Sequence, residues 1–378
     1  MEPDQKGFLY PIINQDICID CGLCRKICPQ VERVAPTKRE SRVLAALAID
    51  DNLRAKSSSG GIFSLLAEQT LHDGGVVFGA ALANDLLVQH IMVDASEDLA
   101  ELRGSKYVQS RIGDCYRQVI KFLKQGKKVL FSGTPCQVDA LKHFLRNEYD
   151  NLITVDILCH GVPSQKVLTK FIKAKEATNK KKVVNINFRE KDPGWTTFST
   201  TIQYEDGTKE IDNSFYHFFI NDFCLRDSCS QCLYSSINRS GDISLGDFWG
   251  YAESAPEHIE NDDLGISLVL INTKKGEKSF QKVNRLLDSA TRSINDAVKG
   301  NRVLEGPFLP NERSKEFWED FEKMTWDELV EKYNISRKKK PDQISSEDRL
   351  YYAKPYKKRH KRHLIHCLRM NLIKKLGK

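Results

Sequence analysis

A chain of 378 residues with 40% hydrophobic and 29% charged side chains is long enough for two or three domains and ordinary for a soluble globular protein. No apolar run approaches the roughly 20 residues that span a bilayer, and the opening Met1-Glu-Pro-Asp-Gln lacks the pattern of a secretory signal. The net charge of +7 is unevenly placed: residues 337–378 hold 15 Lys/Arg against 3 Asp/Glu. That tail, at +12, leaves the body at −5, so the body carries no nucleic-acid footprint.

Residues 1–17 form a lead-in, in which Gly7–Pro11 and Ile12-Ile13 read as a strand. Cys18-Ile-Asp-Cys21-Gly-Leu-Cys24-Arg-Lys-Ile-Cys28-Pro29 follows. Three thiolates at intervals of three, a fourth four residues on and then proline make the bacterial ferredoxin run that grips a 4Fe–4S cluster. Thiolates select iron–sulfur or zinc, and zinc sites usually come as two separated CxxC pairs, so this spacing favours iron–sulfur. Eleven cysteines, several at metal-ligand spacing, fit a reducing cytoplasm better than a disulfide framework.

After a strand at Arg42–Ile49 comes Ser57-Ser58-Ser59-Gly60-Gly61, opening a helix at Ile62–Ala67. Small residues before a helix start leave backbone N–H groups free to hold a phosphate; the same residues also suit a plain serine N-cap. Val76–Leu82 reads as a buried strand and Val88–Val93 as its partner. Leu102–Ser110 is a loop entering a short strand, with Lys106 and Tyr107 as polar groups able to meet a phosphate or a flavin edge.

From Asp114 the pattern alternates. Helix 114–125 precedes strand 128–132, and Gly133-Thr134-Pro135-Cys136-Gln137 opens helix 137–145. Strand 152–158 ends at Cys159-His160-Gly161-Val162-Pro163, and helix 164–175 follows. Such units imply a parallel sheet, whose ligands gather at the carboxyl ends of the strands. Both cysteine-bearing turns lie there. Residues 183–212 read as antiparallel, with a helix at Phe215–Phe223. Strands follow at Asp242–Leu245 and Ile266–Ile271, then a helix at Lys275–Leu287. Past the boundary marked by Pro307 and Pro310, Lys315–Tyr333 reads as a helical appendage bearing Trp and Phe.

Cys229-x-x-Cys232 supplies two thiolates, and Cys136 and Cys159 could supply two more for a second 4Fe–4S cluster. The residues alone leave open a redox dithiol or unrelated buried thiols. Cys224 is a spare candidate, Cys115 and Cys367 sit in helical patterns, and His160 reads as a proton donor or a loop hydrogen-bonding residue. In the tail, Leu364–Ile373 between basic flanks suits an anionic membrane surface or an acidic partner; a solvated tail is the alternative.

Seven motifs in order, Cys18–Pro29, Ser57–Gly61, Gly104–Ser110, Gly133–Gln137, Cys159–Pro163, Cys229-x-x-Cys232 and Asp242–Gly250, resemble the family of coenzyme F420 hydrogenase/dehydrogenase beta subunits. That family is related to the 7-hydroxymethyl chlorophyll a reductases. The resemblance runs to about residue 335. It implies an FAD- and iron–sulfur-dependent oxidoreductase relaying electrons between clusters and a flavin for hydride transfer. By it Ser57–Gly61, Lys106, Tyr107 and Gly133–Pro135 lie at the flavin, and Cys136, Cys159, Cys229 and Cys232 hold the second cluster. Many relatives carry two CxxCxxCxxxCP runs and this chain one. Cys28 therefore either closes the local cluster or lacks its usual partner, and the chain is a shortened variant or has a misassigned start.

The expected architecture mixes α+β and α/β. It comprises a ferredoxin-like segment (1–40), a mixed α/β flavin-binding domain (41–305), a helical appendage (306–336) and a basic tail (337–378). The expected partners are a ferredoxin or a hydrogenase/dehydrogenase subunit, and a small-molecule hydride donor or acceptor such as coenzyme F420. The expected place is the cytoplasm, with peripheral contact at the inner membrane face through the tail. Two other classes stand beside this reading: an electron-transfer subunit without its own substrate, and a non-catalytic iron–sulfur interaction protein.

Overall fold

The computed structural model describes residues 1–28, 31, 40–192, 194–251, 259 and 261–335; Pro29, Cys367 and the basic tail lie outside them. In chain order the elements are β1 (Glu2–Pro3), β2 (Leu9–Tyr10), α1 (Leu23–Lys26), β3 (Arg42–Ala48), α2 (Asp51–Ala55), α3 (Ile62–His72), β4 (Val76–Leu82) and β5 (Val88–Val93). Then come α4 (Cys115–Lys124), β6 (Val129–Gly133), α5 (Pro135–Leu145), β7 (Leu152–Ile157), α6 (Gln165–Asn179), β8 (Val183–Glu190), β9 (Ser199–Tyr204), β10 (Lys209–Ile211) and α7 (Ser214–Ile220). The last are β11 (Ile243–Asp247), β12 (Ser267–Ile271), α8 (Lys274–Val283), β13 (Leu287–Arg292), α9 (Ile294–Gly300), α10 (Ser314–Phe321) and α11 (Trp326–Lys332).

Eight strands form one mixed sheet in the order β13-β3-β12-β11-β7-β6-β4-β5. The middle four, β11, β7, β6 and β4, run parallel, and both flanks are antiparallel. The period of two along each strand sends alternate side chains to opposite faces. Val77, Leu130 and Val155 pack with Leu65, Leu66 and Phe280 from α3 and α8. Val76, Phe78, Val129 and Phe131 pack on the other face with Val119 and Val138 from α4 and α5. Covered on both faces, these strands read as continuous apolar runs.

A separate antiparallel sheet, β10-β9-β8, builds a second core with α6, α7, α10 and α11. Phe171, Phe215, Phe218, Phe317 and Trp326 share that core. The helical appendage expected at 315–333 consists of two helices, the second started at Trp326 by a capping box of Thr325 and Glu328. The helix expected to reach Leu287 ends at Val283, and 287–292 instead pairs with β3 as an edge strand. Its polar Leu-Asp-Ser-Ala-Thr-Arg carries little strand signal. The helix expected over Phe215–Phe223 stops at Ile220. No strand forms over 103–110; a single bridge joins Arg111 to Gln89. The ferredoxin-like segment expected over 1–40 takes, among the described residues, the form of a two-strand hairpin and the one-turn helix α1.

Candidate functional site at the carboxyl edge of the sheet

Parallel strands leave their carboxyl ends on one edge, and the loops leaving β6, β7 and β11 enclose a cavity of about 950 Å³. Its lining includes Ser57, Ser58, Ser59, Gly61, Lys106, Tyr107, Gly133, Thr134, Cys136, Cys159, His160, Cys229 and Cys232. A second cleft of about 720 Å³ beside Lys6 and Trp318 carries none of the residues singled out from sequence.

The serine loop is pinned from behind. Ser57 Oγ donates to the Leu53 carbonyl, Ser59 Oγ to the Ile266 carbonyl, and Gly60 N–H to Ser267 Oγ. A Cβ on Gly60 would stand 2.5 Å from the Ala46 carbonyl, so glycine is required by the close approach to β3. Gly60 thus backs the wall rather than lining it. The N-cap of α3 is Gly61, in the left-handed region at φ 86, and no side chain caps the helix. The plain serine N-cap is therefore not what forms. The first amides of α3 stay free beside the cavity, a setting suited to an anion.

Facing this loop, Ser105 Oγ donates to Ser58 Oγ. Lys106 Nζ donates to the carbonyls of Glu101 and Arg103, and burial pushes its pKa down to about 7. Tyr107 packs 4.9 Å from Phe219, and burial raises its phenol.

The third wall is the start of α5. Thr134 and Gln137 form a capping box, with Pro135 at the first helical position. Pro135 is buried and does not line the cavity, while Cys136 enters it with its Sγ 3.1 Å from Thr134 Oγ1. After β7, the Cys159–Pro163 turn is tied to the Cys229 segment by a bridge from Pro163 to Leu225 and by Arg226 N–H donating to the Val162 carbonyl. Cys136, Cys159, Cys229 and Cys232 therefore share one cavity wall. Burial raises the thiols of Cys136 and Cys159 and pushes Cys229 up to about 12, with neighbouring thiols adding to each.

Four convergent thiols are the donor chemistry that an iron–sulfur cluster uses. They are not drawn to ligating distance: among the described residues no group of three or more His, Cys, Asp or Glu side chains surrounds a common point. That holds equally for the exposed Cys18, Cys21 and Cys24 and the half-buried Cys28. The spare candidates Cys115 and Cys224 are buried apart, in core clusters. The loop of the first four cysteines hangs on the hairpin β1–β2. That hairpin is bound to the cavity rim where Leu9 N–H donates to Gln109 Oε1 and Arg226 donates to the Leu9 carbonyl.

Several lining residues escaped the sequence reading. His90 is buried with its pKa pushed down to about 4 by burial. Its Nε2–H donates to the Ser132 carbonyl, and Nδ1 accepts from Ser110 Oγ at 2.7 Å. His160, already a candidate from the sequence, gains a partner that the sequence did not suggest: its Nε2 lies 2.6 Å from Asp222 Oδ1, and its ring sits 3.9 Å from that of Phe308. Arg189, at the end of β8, pairs with Asp247 at the end of β11, which also accepts from Trp195 Nε1 at 2.6 Å. Trp249 stacks on Trp195 at 4.9 Å. The Gly246-Asp-Phe-Trp-Gly250 stretch stood out in the sequence without a role, and Arg189 gave no local signal because the carboxylate it pairs with, Asp247, lies more than fifty residues away.

The family model describing the carboxyl terminus of the beta subunit, coenzyme F420 hydrogenase/dehydrogenase, matches residues 126–296. The F subunit of the F420H2 dehydrogenase of Methanosarcina mazei is 24% identical over 277 residues, covering 71% of this chain and 70% of that protein. An uncharacterized protein of Methanocaldococcus jannaschii is 21% identical over 296 residues, covering 70% of each. Among solved structures, a chain of the F420-reducing nickel–iron hydrogenase complex from Methanosarcina barkeri covers 74% of this chain and 88% of its own length, at 19% identity and a TM-score of 0.46.

Proposed function

We propose that the chain, whose residues 126–296 match the family model of coenzyme F420 hydrogenase/dehydrogenase beta subunits, is an iron–sulfur flavoprotein oxidoreductase that exchanges electrons between a redox partner protein and a small-molecule hydride donor or acceptor. The observation that carries this is the convergence of three phosphate- and flavin-suited loops and four thiols on one cavity at the carboxyl edge of a parallel sheet. The cavity's size lies at the upper end of the range for small-molecule and cofactor sites.

In this reading FAD occupies the cavity. The free amides of α3, Ser57–Ser59 and the Lys106 loop receive its phosphates. Tyr107, Gly133 and Thr134 border the ring system, and the aromatic walls exclude water from it. Cys18, Cys21, Cys24 and Cys28 hold one 4Fe–4S cluster, and Cys136, Cys159, Cys229 and Cys232 a second. The clusters would supply one-electron carriage and the flavin hydride exchange. His160, whose ring is oriented by Asp222 and bracketed by Phe308 and Phe219, is placed to hold or deliver a proton at Nδ1. The name of the Methanosarcina mazei relative makes coenzyme F420 the first small molecule to try.

Anaerobically purified full-length protein should contain about one FAD and more iron than a single four-iron cluster accounts for. Colourless protein carrying zinc would sink the reading. One observation favours a second reading, an electron-transfer subunit without its own substrate. Around the first cysteine run Ile12, Ile13, Ile17 and Ile19 are 50% to 85% exposed, as at a surface awaiting a partner. Turnover of reduced F420 with an artificial dye by the isolated chain separates the two.

A further inference from the structure

Strand β8 ends by carrying Arg189 into the cavity wall, where the residue is only 6% exposed. Its Nη1 pairs with Asp247 Oδ2, and the other oxygen of Asp247 is taken by Trp195 Nε1. The faces of the guanidinium are held by aromatic rings, with its central carbon 4.2 Å from the Phe198 centroid and 5.4 Å from that of Trp249. The group is therefore fixed in plane and in direction. Its remaining edge, Nε and Nη2, is buried and makes no hydrogen bond. Buried guanidinium donors are rarely left so. These two N–H groups are the side-on fork that matches the two oxygens of a carboxylate or phosphate.

The surroundings do not neutralise that edge. Tyr107, the neighbouring phenol on the cavity wall, approaches Arg189 as a neutral hydrogen-bonding group: burial keeps it protonated against the opposing pull of the guanidinium. The nearby Lys191 is engaged by the carbonyls of Arg54, Ser59 and Leu264, and burial together with Arg54 and Arg189 pushes its pKa down to about 7, so it brings no counter-ion to that edge. We propose that the Nε/Nη2 edge of Arg189 is a recognition point for an oxyanion carried by the occupant of this cavity. The oxyanion is either a phosphate of the flavin cofactor or an acidic group of the hydride-exchanging substrate. Neither the family resemblance nor the sequence motifs assign Arg189 a role. The inference rests on the proposed cofactor and substrate cavity.

The test uses the full chain and Arg189→Lys, which keeps the charge opposite Asp247 but loses the fork; matching melting curves establish that the variant folds. A second variant, Arg189→Met with Asp247→Asn, removes both charges while leaving an acceptor for Trp195. FAD, riboflavin and inorganic pyrophosphate are titrated by calorimetry, and KM is compared for the anionic coenzyme F420 and for the uncharged dye menadione. If the oxyanion is the flavin's, both variants weaken FAD and pyrophosphate at least tenfold and leave riboflavin unchanged. If it is the substrate's, flavin binding holds and KM rises at least tenfold for F420 but not for the dye. The inference is overturned if FAD, pyrophosphate and F420 all stay within twofold of wild type. A wild-type chain that takes up no flavin at all sinks the proposed cofactor instead, and the pyrophosphate titration still decides the role of Arg189.

Discussion

Removing the carboxylate of Asp156 should be among the most damaging single changes in the molecule. Asp156 on β7 and Arg239 form an ion pair in which both side chains are fully buried. One carboxylate oxygen accepts from Arg239 Nη2 at 2.8 Å and Nε at 3.3 Å, and the other from Gly241 N–H at 2.7 Å. Arg239 in turn donates to the Tyr234 and Ile157 carbonyls, so the pair stitches the segment after Cys232 to the sheet. Asp156→Ala leaves a guanidinium without its counter-ion in a site that water does not reach. Breaking a buried pair from one side costs about 3 to 5 kcal/mol, and the lost bond from Gly241 falls within that range. Urea denaturation under reducing, anaerobic conditions, followed by tryptophan fluorescence, should show this loss. Iodoacetamide should also label Cys232 faster. Asp156→Leu combined with Arg239→Met should recover most of the stability, because it removes both charges together. A loss below about 1 kcal/mol for Asp156→Ala would refute the reasoning.

Trp326 is 2% exposed, donates to Ser214 Oγ at 3.0 Å and lies 5.2 Å from both Phe171 and Phe218. Trp326→Ala should cost about 3 to 5 kcal/mol by thermal or urea unfolding; a surface-like change would mean that α11 contributes little to the second core. His90 falls from an ordinary 6.5 to about 4 in the fold, so between those values the unfolded chain binds the extra proton and stability rises with pH. The rise amounts to roughly 3 kcal/mol, and stability curves of His90→Asn measured from pH 4 to 7 should be flatter by that amount. Replacing both Cys229 and Cys232 by serine should lower iron content by about one four-iron cluster while leaving the remainder in place. Unchanged iron would remove these two thiols from the ligand set.

Much of the main sheet was legible because its continuous apolar strands and its strand–loop–helix units are local signals. Val76–Leu82, Val129–Gly133 and Leu152–Ile157 lie within a residue or so of where apolar runs and turn residues put them. β13 and the break between α10 and α11 were not legible. The first is a polar edge strand stabilised by pairing with β3, and the second rests on a capping box inside an otherwise continuous helical pattern.

The cavity divides in the same way. Thiol spacing and small-residue loops are chemistry written along the chain, so Cys18–Cys28, Ser57–Gly61 and Gly133–Cys136 could be singled out from the sequence by itself. The meeting of Arg189 with Asp247, of His160 with Asp222, and of four thiols on one wall joins residues far apart in the chain. Only the parallel sheet, which delivers the ends of β6, β7 and β11 to one edge, and the second core that sets β8 beside them, decide those encounters. Whether a guanidinium is paired or left with an open edge depends on burial and direction, and neither is encoded in local sequence.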